Sequence, residues 1–212
     1  MDALRVAIVV AGAAALAWML TDDDGAGESA NSPDIEDYGN QAISVFDYTD
    51  SEMKTQNERA FLAGIRVGEG TAAQNGYAVK FGGSTFSDFS DHPALLGWGG
   101  GKLSPQMCAN AGFGPGCVST AAGAYQINKP TWLRVSARLG LTDFSPASQD
   151  AAAMFLIDEK GALGDVQAGR TAAAVKKVRK VWASLPGAGY GQNEVSMANF
   201  NNSYTNAGGV LA

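Results

Sequence analysis

The sequence is poor in the residues that carry metal and thiol chemistry. Its 212 residues include one histidine, His92, and two cysteines, Cys108 and Cys117. A structural zinc site takes four Cys or His ligands, so no metal site is expected. The eight residues between the cysteines, Ala-Asn-Ala-Gly-Phe-Gly-Pro-Gly, form a short loop. In an oxidising compartment the pair would close that loop as a disulfide; in a reducing one both thiols would stay free. A phosphate loop is missing too. Gly99-Gly100-Gly101-Lys102 has its lysine, but Leu96 stands where the first glycine belongs and Leu103 where Ser or Thr belongs. Neither nucleotide nor any other cofactor is expected, and nothing in the pattern points to nucleic acid.

Basic residues are missing from one whole segment. Residues 21–52 contain ten acidic residues and no Lys or Arg. Residues 53–212 contain 14 basic and 10 acidic residues, a balance of +4 inside a chain whose formal charge is -6. Such asymmetry separates a solvated segment from a working domain. A mildly basic domain suits an anionic polymer such as a cell wall.

Ahead of the acidic segment, residues 6–20 (VAIVVAGAAALAWML) are uncharged and apolar, with Arg5 before them and Asp22, Asp23 and Asp24 after. The run is slightly shorter than the ~20 residues of a typical spanning helix and also fits a signal-peptide core. No convincing A-x-A cleavage site follows the run before the aspartates, which favours an uncleaved anchor. A buried core helix is the alternative. The expected organisation is an anchor in residues 1–20 that meets lipid through residues 4–20, an acidic linker at 21–56, a domain at 57–200 and a polar tail at 201–212. Arg5 inside and the aspartates outside put the domain on the outer, periplasmic side.

Within the domain a helix is predicted over 57–68, with Asn57 as N-cap and Glu58 in its first turn. Phe61, Leu62, Ile65 and Gly68 share one face, and Glu69 falls beside Leu62 and Ile65 at about 100° per residue. A carboxyl on an apolar face, at the negative end of a helix, is a weakened acid. That suits a general acid. It equally suits a glutamate paired with an arginine in the core, or one turned to solvent at Gly70. Residues 76–86 read as a hairpin turning at Gly82-Gly83. Asp88 and Asp91 are candidates for a second catalytic role or for sugar binding, and equally for turn caps. His92, between Asp91 and Pro93, reads as structural. Further helices are predicted over 129–139, 146–160 and 171–183. The second starts at Ser145-Pro146 in a capping arrangement that includes Gln149. The third buries Val175, Val178, Val181 and Trp182, and turns Lys176, Lys177, Arg179 and Lys180 outward.

A resemblance covers residues 57–192. Arg59-Ala60-Phe61-Leu62 leading to Gly68-Glu69-Gly70-Thr71, then Asn75-Gly76-Tyr77, Gly82-Gly83 and Phe86 to Pro93, resemble the phage lambda lysozyme family. So do Ala122-Gly123-Ala124-Tyr125-Gln126, Asp143 to Pro146 with Ser148-Gln149-Asp150, and Trp182 to Gln192. The resemblance implies an α+β, lysozyme-like fold, with a mostly helical lobe and a small β-hairpin lobe flanking a glycan cleft. It implies a lytic transglycosylase that cuts the MurNAc–GlcNAc bond of peptidoglycan without consuming water. The catalytic glutamate then falls on Glu69 and the glycan contacts on Gln126 and Tyr190, with Thr71, Asp88 and Asp91 as further candidate contacts. The stretch from Gly97 to Thr120 is longer than the family pattern and carries the cysteine pair. The apolar run and acidic segment also depart from that pattern; they imply a tethered endolysin or an enzyme carried by a phage particle.

Overall fold

The computed structural model describes residues 56–110, 112–189 and 193–212. The expected anchor, nearly all of the acidic linker, and Tyr190 lie outside the described residues. Among the described residues no helix is long and apolar enough to cross a membrane.

Helix α1 (Gln56–Gly68) forms where the apolar stripe predicts it and buries Ala60, Phe61, Leu62 and Ile65. Its start differs from expectation. Asn57 lies inside the helix and bonds outward: its amide donates to the Gln167 carbonyl (3.0 Å) and its oxygen accepts from Val210 N–H (2.8 Å). Glu58 is buried and accepts from the Gln167 amide at 2.7 Å. Both side chains tie α1 to later segments, so neither serves as a local cap.

The expected hairpin is present in minimal form, turning at Gly82-Gly83, with Phe86 N–H bonded back to the Ala78 carbonyl at 2.9 Å. Val79 and Thr85 form a single bridge, and Lys80 N–H bonds the Ser84 carbonyl at 2.7 Å. The two-stranded antiparallel sheet lies further on, pairing β1 (Gly101–Lys102) with β2 (Val118–Ser119). Between these strands runs α2 (Pro105–Asn110), and the excursion is closed by a disulfide from Cys108 to Cys117. Cys108 packs with Phe81, Leu103 and Ala121 in a small second core. Bridges from Ala122 to Lys80 and to Ile127 join this lobe to the rest.

The helical lobe continues with α3 (Lys129–Leu139) and α4 (Pro146–Glu159). Ser145 caps α4 by accepting from Ser148 N–H, while Gln149 takes no part in the cap. From Ser148 to Ile157 every residue of α4 is buried. A helix that is buried all round is the centre of its lobe, and α1 and α3 pack against it. Two short helices follow, α5 (Leu163–Gln167) and α6 (Thr171–Val178). Helix α6 stops five residues before its expected end, yet Val181 and Trp182 are still buried. Their apolar spacing is met by turns, with Trp182 donating its indole N–H to the Tyr125 carbonyl at 3.1 Å.

The expected polar tail is corrected most clearly. Helix α7 (Met197–Asn206) runs through its start, capped by Ser196. Phe200 and Tyr204 are fully buried, and Phe200 meets Phe61 edge-on with ring centroids 5.1 Å apart. Ala212 N–H bonds the Gly169 carbonyl at 3.1 Å. The tail reads as polar because Asn, Ser and Thr occupy the outer face of a helix whose buried face needs only two aromatic residues.

Candidate active site

Glu69 follows the last residue of α1, its N–H still bonded to the Ile65 carbonyl at 2.9 Å. The side chain is buried, with 1% of its surface exposed. One oxygen accepts a hydrogen bond from the Ser184 hydroxyl at 2.5 Å. The other, Oε2, is buried and has no partner among the described residues. Burial pushes the carboxyl from 4.5 up to about 8, against the smaller opposing effect of the Ser184 hydrogen bond. The group is therefore neutral at pH 7, a proton donor with one oxygen uncommitted.

The Ser184 contact depends on Gly68. A Cβ there would lie 2.9 Å from Ser184 Oγ and drive it off. Ser184 belongs to the segment after α6, held from the other side by Val195 N–H on its carbonyl at 2.8 Å. Nothing about a lone serine in Trp-Ala-Ser-Leu-Pro marks it as a partner of Glu69. Only its place in the family motif pointed to the segment.

The remaining candidates divide. Thr71 is buried, and its hydroxyl is engaged by the carbonyls of Ala124 (2.5 Å) and Arg66 (3.3 Å). It pins the chain after Glu69 to the Ala122–Gln126 turn. Gln126 is also buried and is the one non-glycine residue among the described residues with positive φ, 46°. Its amide donates to the Gly123 carbonyl (2.9 Å) and the Val79 carbonyl (3.3 Å), linking the turn to the β-lobe. Asp91 accepts from its neighbour His92 N–H (2.7 Å) and from the Trp132 indole (2.8 Å). Asp88 is exposed and closes a turn onto Ser90 N–H at 2.9 Å. Both aspartates thus take the turn-and-anchor role, and neither is bonded to Glu69. His92 is structural as expected. Its Nε2 donates to the Ile127 carbonyl (2.9 Å), its Nδ1 accepts from Ala94 N–H (3.2 Å), and burial lowers it to about 4, so the ring is neutral.

Behind the turn sits a polar brace. The Gln149 oxygen accepts from Ala124 N–H (2.8 Å), and its amide donates to the carbonyls of Phe144 (2.8 Å) and Tyr77 (3.1 Å). Gly123 makes room: its φ is 78°, and a Cβ there would fall 2.2 Å from that Gln149 oxygen. Beside it Asp150 accepts from the hydroxyls of Tyr77 (2.8 Å) and Tyr125 (2.5 Å). The Glu194 carboxylate accepts from Gly187 N–H and Gly189 N–H, each at 2.6 Å.

A buried, neutral carboxyl at the end of the first helix, in a helical lobe joined to a small β-lobe, defines the lysozyme-like class. The solved structures agree: lambda lysozyme, alone and complexed with a chitohexasaccharide, is similar with a TM-score of 0.63 and 36% identity. Each alignment covers 74% of this chain and 97% of the lambda protein. The chain belongs to the endolysin family. The family pattern described as Endolysin matches residues 59–211. The endolysin of Escherichia phage P2 is 42% identical over 167 residues, covering 74% of this chain and 96% of its own length. The endolysin of Escherichia phage lambda is 38% identical over 166 residues, covering 75% and 96%.

Proposed function

We propose that this member of the endolysin family, a peptidoglycan-degrading muramidase, cuts the MurNAc–GlcNAc bond by lytic transglycosylation with Glu69 as its one proton-handling residue. The observation that carries the reading is the buried Glu69 carboxyl, neutral near pH 7, with Oε2 unpartnered among the described residues and Ser184 on its other oxygen. In the first step the Glu69 O–H protonates the glycosidic oxygen as the bond to the muramyl anomeric carbon breaks. The leaving sugar departs with a free hydroxyl, and Glu69 is left as a buried carboxylate. Desolvation makes that carboxylate a strong base for a carboxyl group. It takes the proton of the muramyl 6-hydroxyl as that oxygen closes on the anomeric carbon. The product is a 1,6-anhydromuramyl end, and Glu69 regains its proton. No water enters, so a second carboxylate is not needed, whereas a hydrolase pair would stand ~5 Å apart if retaining or ~6.5–9.5 Å if inverting. The engagement of Asp91 by Trp132 and His92, and the exposed turn of Asp88, support a one-carboxyl scheme.

Gln126 and Tyr190 serve the glycan in this scheme, while Thr71 and Asp91 position the chain around it. The apolar run at 6–20, followed by the acidic segment, supports a membrane-tethered enzyme whose catalytic domain lies on the outer side, working in host lysis or in wall penetration by a phage particle. The test of the site is Glu69→Gln. The variant should keep its fold and fail to clear a peptidoglycan suspension; clearing at the native rate would move the chemistry to another residue.

A further inference from the structure

Ser184 can hold the Glu69 carboxyl only while its own backbone stays in place. Its hydroxyl donates to Glu69 Oε1 at 2.5 Å, and its side chain is buried. Two limbs of chain meet at Ser184. The outgoing limb runs from Ser184 to Gly189, with Leu185 in the main core and Ala188 buried beside Ala183. The returning limb, Asn193 to Val195, leads into α7, whose Phe200 packs edge-on against Phe61 of α1. The neck between the limbs is one backbone bond, Val195 N–H to the Ser184 carbonyl at 2.8 Å.

Among the described residues, the other hydrogen bonds that join the limbs all end on one side chain. Glu194 Oε2 accepts from Gly187 N–H and Oε1 from Gly189 N–H, each at 2.6 Å. A carboxylate with one N–H on each oxygen is a charge-assisted, two-point clamp. Gly187 and Gly189 have φ of 74° and 78°, the left-handed region that suits glycine. Two cations meet the same limb. A Cβ on Gly187 would fall 2.8 Å from a terminal nitrogen of Arg179, and Lys180 donates to the Ala188 carbonyl at 2.7 Å. These two hold the limb to the end of α6, whereas Glu194 ties it to the limb that carries Val195. We propose that Glu194 is a positioning residue of the active site: by clamping Gly187 and Gly189 to the returning limb, it keeps the Ser184 hydroxyl seated on Glu69. The proposal rests on the reading of Glu69 as the acid. In that scheme Glu69 becomes a carboxylate midway through the reaction, and the Ser184 hydroxyl is the donor that meets it. With the clamp gone the neck loosens, and the carboxylate loses that donor.

The test follows Glu69 itself, in the full chain and without substrate. Glutamate is isotopically labelled at the side-chain carboxyl and titrated by NMR, the Glu69 signal being the one missing from Glu69→Gln. The chains compared are native, Glu194→Ala, Glu194→Gln, Ser184→Ala, and Ser184→Ala combined with each Glu194 variant. Glu194→Ala should raise the Glu69 midpoint by about half to one unit, part of the shift expected on losing the whole Ser184 bond. Glu194→Gln keeps one acceptor oxygen and should raise it less. With Ser184 already replaced, neither Glu194 variant should add to the shift. An unmoved midpoint in both Glu194 variants would leave Glu194 a structural role alone and overturn the proposal. A lowered midpoint would overturn it too, because removing a negative charge that acts through space eases ionisation of Glu69. So would equal shifts with and without Ser184. If Glu194→Ala does not fold, Glu194→Gln in the two backgrounds decides by the same signs. Clearing of peptidoglycan by Glu69→Gln would sink the acid assignment instead, and would leave the titration result standing.

Discussion

If Glu69 is held neutral by burial, its removal should stabilise the protein, and only at high pH. The carboxyl ionises near 4.5 when solvated and near 8 when folded. Because the folded pKa is raised, its contribution to stability is fully present below pH 4.5, where both states are protonated. It is lost progressively as pH rises from 4.5 to 8, because the unfolded chain ionises freely while the folded one does not. At about 1.4 kcal/mol per pH unit, the loss is on the order of 3 kcal/mol at pH 7 and 5 kcal/mol above pH 8. Those are large fractions of the 5–15 kcal/mol typical of a domain. Glutamine has the same shape and never ionises. Glu69→Gln should therefore match the native protein near pH 4 and exceed it by several kcal/mol near pH 9. Urea unfolding of both proteins from pH 4 to 9 measures the difference directly. Other titrations cancel in that difference, including His92, whose lowered pKa removes stability as pH falls from 6.5 to about 4. A difference that stays constant with pH, or that favours the native protein at pH 9, would refute the claim that Glu69 is folded as a neutral acid.

Two further outcomes follow from the geometry. Ser184→Ala removes the hydrogen bond that stabilises the ionised form of Glu69; the pKa of Glu69 should rise by about one to two units, and the alkaline limb of the pH–activity profile should move with it. An unshifted limb would show that Ser184 does not act through Glu69. Gly123→Ala combines a left-handed backbone with a Cβ 2.2 Å from the Gln149 oxygen, so it should cost about 2–4 kcal/mol, read as a lower urea midpoint.

How much of this could be read from the sequence varied with the physics behind each element. The long helices were legible because their apolar spacing is answered by burial: α1, α3 and α4 fall within a residue or so of prediction. Short-range pattern failed where pairing is long-range. The strands β1 and β2 are two residues each, and the disulfide loop that joins them carries no alternation to read. Helix α7 was lost because Phe200 and Tyr204 alone mark its buried face. Within the site, Glu69 was legible as a carboxyl on an apolar face, and His92 as structural. Ser184 was not, because its bond to Glu69 spans 115 residues and hangs on a missing Cβ at Gly68. Asp88 and Asp91 were ambiguous because turn capping and sugar binding ask for the same residue type, and the bond from the Trp132 indole to Asp91 spans 41 residues.

The central claim is that one buried carboxyl cuts the strand without water. Digesting purified peptidoglycan and weighing the released muropeptides by mass spectrometry tests it most directly. The account predicts muramyl ends one water lighter than reducing ends, resistant to borohydride, with no oxygen incorporated from labelled water. Reducible ends carrying the label would contradict it and would require a second group to activate water beside Glu69.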